Sequence, residues 1–135
     1  MAAITELLRA ESDGTVSFGD YTLGEKKKVE NFPLGGNVYK VKTFREITKL
    51  EMNEAFVYES VPGTAVAHFS LLPDGVSFTA EGSADAQVTL GLKENTTYRI
   101  FVNDTEVGAM STGISGKLSL SLALTEGEKR VKVVE

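Results

Sequence analysis

From Lys117 to Leu124 every second residue is leucine and every residue between is small: Leu118, Leu120, Leu122 and Leu124 alternate with Ser119, Ser121 and Ala123. Successive side chains of a strand point to opposite faces, so this spacing puts the leucines on one side and the small residues on the other. The same period of two recurs at Val88-Leu90-Leu92, Tyr98-Ile100-Val102 and Val131-Val133. Such segments predict an all-β domain with one face of each strand in a core.

Turn signals divide the C-terminal part into short strands at Ala65–Leu71, Val76–Glu81, Ala86–Leu92, Thr96–Val102, Glu106–Ser111, Lys117–Leu124 and Lys129–Val134. Pro73-Asp74-Gly75 reads as a hairpin turn and Asn103-Asp104 as another. Short strands spaced by 8–12 residues are the signature of an antiparallel β-sandwich. Upstream, Thr15–Leu23 reads as a strand, Gly24–Asn31 as a polar loop, and Phe32–Asn37 as a turn-rich connector. Val38–Phe44, Glu46–Glu51 and Ala55–Val61 follow as strands, with Asn53 suited to the positive φ of a tight hairpin. Helix is the rival over Phe44–Glu54, because Ile47, Leu50 and Glu51 also fit a helical spacing. The first ten residues predict a short amphipathic turn or helix carrying Ile4, Leu7 and Leu8. Pro62-Gly63 is the best boundary. It divides a β-rich N-terminal region, 1–61, from a sandwich, 62–135, with the first either extending or completing the second.

A chain of 135 residues is long enough to bury a substantial core. Its 14 basic and 19 acidic residues give a net charge of −5, which disfavours nucleic acid and anionic membranes as partners. The one basic run, Lys26-Lys27-Lys28, is bracketed by Glu25 and Glu30 and predicts a solvated loop. There is no cysteine, so disulfide staples, thiolate catalysis and Cys-ligated metals are excluded. The N-terminus lacks the basic-then-apolar pattern of a secretory signal, and no stretch approaches a membrane span. The expectation is therefore a cytoplasmic protein, with export by a non-classical route left open. Asn95-Thr96-Thr97 and Asn103-Asp104-Thr105 match the glycosylation sequon and are read as turns.

Chemical motifs are sparse. The single histidine, His68, lies in Val66-Ala67-His68-Phe69, where alternation puts it on the face of Val66. Without a second His or any Cys, a transition-metal site would need carboxylates. No Gly-x-Ser-x-Gly elbow supports a Ser–His–Asp triad. Glu51 and Glu59 can face each other across a hairpin, the arrangement a glycan hydrolase would need. No phosphate loop or EF-hand spacing is present, so no cofactor and no metal is expected. Phe56 with Tyr58, and Phe101 opposite the Tyr98-Ile100-Val102 face, are candidates for an exposed aromatic patch or a subunit interface.

Two resemblances add to this reading. Thr97-Tyr98-Arg99-Ile100-Phe101-Val102-Asn103-Asp104, Val107-Gly108 and Gly116-Lys117-Leu118-Ser119-Leu120-Ser121-Leu122 resemble the closing strands of immunoglobulin-like accessory modules of bacterial polysaccharide-degrading and surface proteins. The match covers about a quarter of the chain and implies an immunoglobulin-like sandwich. Phe18-Gly19-Asp20-Tyr21, the segment from Tyr39 to Leu50, and the segment from Phe56 to Val66 are similar to small proteins of anaerobic Gram-positive bacteria that carry an endosialidase-like label. That resemblance implies activity on glycans. A sialidase propeller blade takes about 40 residues or more, so this chain would supply three at most. No catalytic residue is carried over.

The expectation that follows is a non-catalytic sandwich module working by self-association or by binding another protein, with Tyr39, Val41, Phe56 and Tyr58 as interface candidates. A carbohydrate-binding accessory domain is the alternative, and a glycan hydrolase using Glu51 and Glu59 the third reading.

Overall fold

The computed structural model describes residues 3–135. The chain enters through β1 (Leu8–Ala10) and β2 (Val16–Phe18), then crosses to lay down a meander of β3 (Lys27–Leu34), β4 (Asn37–Phe44), β5 (Ile47–Met52) and β6 (Ala55–Val61). It returns for the hairpin β7 (Ala65–Leu72) and β8 (Gly75–Glu81) and crosses again for β9 (Ala86–Gly91). The hairpin β10 (Thr97–Val102) and β11 (Thr105–Ser111), then β12 (Lys117–Leu122) and β13 (Lys129–Val134), complete it. The result is a β-sandwich of two antiparallel sheets. The seven-stranded sheet has the order β1-β2-β7-β8-β13-β10-β11, and the six-stranded sheet the order β12-β9-β6-β5-β4-β3.

Alternation decides which face each strand buries. In β12 the leucines at 118, 120 and 122 are buried and the residues between them exposed. Val76, Phe78 and Ala80 in β8, Ala86, Val88 and Leu90 in β9, and Val131 and Val133 in β13 meet them from both sheets. At the other end Phe18, Tyr58, Phe69 and Phe78 form an aromatic cluster, with edge-on ring pairs 5.2–6.0 Å apart. Pairs of that geometry add about 0.5–1.5 kcal/mol each to the burial of their area. Tight turns carry positive φ at both central residues in Gly35-Gly36, Asn53-Glu54 and Asn103-Asp104, the geometry that matches the twist of a hairpin.

A chain of hydroxyl groups runs through this interior. The Asp20 amide donates to Thr43 Oγ1 at 2.9 Å, and Thr43 and Thr48 hydroxyls are 2.8 Å apart. Thr48 Oγ1 donates to the Thr64 carbonyl at 2.9 Å and accepts from the Thr64 amide at 3.1 Å. The Thr64 hydroxyl lies 2.8 Å from both Tyr58 Oη and Ser60 Oγ. One assignment satisfies the threonine links: Thr43 gives its proton to Thr48, and Thr48 gives its own to the Thr64 carbonyl. Burial pushes the Tyr58 hydroxyl up to about 12. Every member except Asp20 is fully buried, and no buried side-chain polar atom among the described residues lacks a partner.

Two differences from the sequence reading have physical causes. Residues 27–34 form β3, so most of the expected loop and the start of the expected connector are strand: Val29, Phe32 and Leu34 pack half-buried against the core, and the break in register between Val29 and Phe32 interrupts the alternation that would have marked it. Near the N-terminus the segment 8–10 is a strand pairing with β2, and Leu7 turns the chain into it at φ 71°. The strand reading holds over its rival: β5 runs from Ile47 to Met52 between turns at 45–46 and 53–54, with no helix in the region Phe44–Glu54. Pro62-Gly63 marks a crossover between sheets: β2 pairs with β7 and β6 with β9, so the residues before it supply strands to both sheets.

Removing the hydroxyl of Thr48 leaves the Thr43 hydroxyl and both backbone groups of Thr64 without their partner. The Thr48→Val variant is expected to lose about 2–4 kcal/mol in urea unfolding, against about 1–2 kcal/mol for Tyr58→Phe. Equal losses would mean that the chain of hydroxyls is not organised around Thr48.

Candidate functional site

Strand alternation holds for Tyr39 and Val41, and their shared face is the inner one. Tyr39, Val41 and Tyr58 are buried in the chain's own core, which corrects their expected role as contact residues. Phe56 is separated from Tyr58 by a bulge: Tyr58 pairs with Leu50 and Phe56 with Glu51, leaving Val57 as the extra residue. The bulge sends Tyr58 inward and Phe56 outward. Phe56 lies over Gly91, where a Cβ would come within 3.1 Å of its ring, and between the ammonium groups of Lys117 and Lys49, 5.0 and 6.0 Å from its centroid.

The register also separates the candidate carboxylates. Glu59 stands opposite Lys49, and Glu51 stands opposite Phe56 and Lys40, so the two do not face each other across the hairpin. Lys28 and Lys40 flank Glu30 at 2.9 and 3.8 Å and hold its carboxyl below the usual range. Lys26, Lys27, Lys28 and Lys42 line a shallow recess at that edge. Among the described residues no three His, Asp or Glu side chains gather as a metal set.

His68 is where the sequence reading of a strand position fails most informatively. β7 is irregular between Ala67 and Ser70 against β8, and His68 takes φ 53°. The irregularity turns its side chain to the surface while Val66 stays in the core, so the two do not share a face. His68 Nδ1 lies 3.1 Å from both Asp13 Oδ2 and Thr15 Oγ1. The Thr15 hydroxyl is donated to Asp13 Oδ1 at 2.5 Å, and a carboxylate can only accept, so Nδ1 carries the proton. Both contacts fall on one ring nitrogen, which is not the relay of a Ser–His–Asp triad. Below it, the His68 amide donates to Ser17 Oγ at 3.1 Å, and Ser17 donates to Glu11, which Arg9 also grips.

This histidine borders a groove of about 370 Å³ on the outer face of the seven-stranded sheet. Its floor is low because Ser77 and Thr79 on β8 are short. His68 stands on one side, and Phe101, Arg130 and Lys132 stand on the other. Phe101 points away from the core as its alternation predicts, with the Arg99 guanidinium 5.1 Å from its ring centroid. Arg130 is held by Asp104 at 2.8 Å.

A second surface lies on the side of the sandwich where β11 and β12 are the outermost strands. All seven residues of β11 are exposed, and Val107, Met110 and the nearby loop residue Ile114 are 61%, 42% and 85% exposed. Between the two edges runs a groove of about 410 Å³, with Ile100, Val102 and Leu120 at its base. Glu106–Ser111 is predicted as a strand, but its exposure is not. The available signal is local: Val107-Gly108-Ala109-Met110 lacks both the strict alternation of the other strands and any lysine or proline. The sequon residues Asn95 and Asn103 hold positive-φ turn positions, as read. No helix among the described residues is long and apolar enough to cross a membrane.

The Ser17 hydroxyl, then the Arg9 guanidinium, hold the Glu11 carboxyl below its ordinary range. A depressed folded-state value means stability present above the ordinary carboxylate range and lost as pH falls through the lowered one. The thermal midpoint is expected to fall on acidification in that window, with a shallower fall for Glu11→Gln. Parallel curves would show that Glu11 contributes nothing to acid sensitivity. No protein-family model, curated protein or solved structure matches this chain.

Proposed function

We propose that this chain is a non-catalytic interaction and assembly module that works through the edge of its seven-stranded sheet. The observation that carries this is β11: seven consecutive exposed residues at a sheet edge, with the N–H and C=O groups of that edge unpaired and Val107, Met110 and Ile114 beside them. An unprotected edge of this kind is a template for another strand. Three of the titratable groups are engaged within the chain: His68 with Asp13, Glu11 with Ser17 and Arg9, and Glu30 with two lysines. Light scattering after size exclusion is expected to give a mass above the 14.5 kDa of the chain at micromolar concentration. Val107→Lys/Met110→Lys is expected to return it to the chain mass, with the thermal midpoint moved by no more than about 3 °C. A wild-type protein at the chain mass across the micromolar range overturns the proposal.

A second reading, carbohydrate binding, is favoured by the groove beside His68. An aromatic face at Phe101, hydroxyls at Ser77 and Thr79, and the Arg130–Asp104 pair offer stacking, donors and acceptors to a ring bearing several hydroxyls. Phe101→Ala is expected to abolish any signal on a glycan array. A wild-type protein that binds no glycan on the array removes this reading.

A further inference from the structure

We propose that the occupant of the open side is a second copy of this chain, placed by a two-fold axis parallel to the strands so that each β11 adds to the partner's β12. This rests on the assembly reading above and names its partner. The four sheet edges differ in how they are guarded. β1 has only three residues, and β3 carries Lys27, Lys28, Pro33 and a break in register between Val29 and Phe32. Short length, lysine, proline and bulges are the devices that stop a strand edge from pairing with another chain. These two guarded edges lie together, since β1 and β3 touch. β11 and β12 form the opposite side, and between them carry one lysine, Lys117 at a strand end, one carboxylate, Glu106, and no proline. β11 has a one-residue irregularity at Val107, opposite the Ile100–Phe101 step, but is otherwise unguarded.

The shape of that side is self-complementary. The seven-stranded sheet has one strand more than its neighbour, and β11 is the strand left uncovered. Its pairing with β10 sets Gly108 beside Ile100 and Met110 beside Tyr98, on the face that looks toward the other sheet. β11 and β12 run in opposite directions, joined by the short loop 112–116. A two-fold axis parallel to the strands keeps strand directions and exchanges the layers. It brings β11 antiparallel to the partner's β12 and fuses each seven-stranded sheet with the partner's six-stranded one.

With the strands level, Met110 and Gly108 fall beside the partner's Leu118 and the partner's Leu120, and Ala109 falls beside the partner's Ser119. Over these three pairs inner residues meet inner residues, outer meet outer, and no like charges oppose. The overhanging faces of the two β11 strands cover each other. β11, β12 and Ile114 supply about 14 residues a side, fewer than the roughly 20–30 of a standard interface.

The chain has no cysteine, so single introduced thiols report on this geometry. Ala109→Cys and Ser119→Cys are both at exposed positions, and each variant should keep the wild-type circular dichroism and thermal midpoint. Under mild oxidation an equimolar mixture is expected to yield a disulfide-linked species of twice the 14.5 kDa chain mass, and each variant alone is expected to stay unlinked. Linking of Ala109→Cys by itself would mean β11 pairs with the partner's β11, and would overturn this arrangement while keeping the assembly reading. No linking in the mixture, when light scattering of the same sample shows a mass above that of the chain, overturns it equally. A sample that scatters as a single chain overturns the assembly reading itself.

Discussion

The hydroxyl of Thr48 is the joint on which the first half of the fold depends. The crossover after Pro62 takes the chain from one sheet to the other through the interior, and a buried peptide group there must find a partner. Thr48 satisfies both the N–H and the C=O of Thr64 with one oxygen, and its third link goes through Thr43 to the Asp20 amide. The chain after β2 is thereby tied to the six-stranded sheet and to the crossover at once. Close approach is a condition of that joint. A Cβ on Gly19, which has φ 98°, would come within 2.3 Å of the Thr64 carbonyl. A fully satisfied polar chain of this kind fixes register, because sliding β4 or β5 by one residue would take Thr43 or Thr48 to the outer face.

With the interior fixed in this way, the surface inherits a division of labour. One side of the sandwich ends in the guarded edges β1 and β3; the other ends in β11 and β12, with an apolar groove between them. The outer face of the seven-stranded sheet holds the groove at Ser77 and Thr79, bounded by a histidine that an irregular stretch of β7 turns to the surface. Both candidate surfaces arise where regular pairing stops or is interrupted. Backbone groups released from the ladder, or side chains turned out of alternation, are what a partner or ligand can reach.

Strands with one buried face were legible because burial writes a period of two into the residues. Lys129–Val134 has the limits that alternation and turn residues give it, and Lys117–Leu124 overruns its strand by only two residues, where the chain leaves the ladder after Leu122. β3 was not, because the break in register between Val29 and Phe32 puts its core-packed residues out of a period of two, and Lys26-Lys27-Lys28 looks like a loop. The interface candidates failed for a related reason. Alternation says that Tyr39 and Val41 share a face; it does not say whether that face looks inward. Phe56 and Tyr58 were parted by the bulge at Val57, which leaves no mark in residue spacing.

The sequence by itself determined an all-β chain, the approximate limits of most strands, and the turns at Asn53 and Asn103. Each follows from interactions among residues near one another along the chain: the pleat, the preferred φ of a turn, and the hydrophobicity of one strand face. Only the tertiary structure decided that the N-terminal strands enter both sheets, that His68 meets Asp13 at the rim of a groove, and that β11 is left uncovered. Those outcomes depend on which strands become neighbours across distant parts of the chain, and on one sheet having a strand more than the other. Strand order and the pairing of layers are properties of the whole assembly of strands, and no local pattern of residues encodes them.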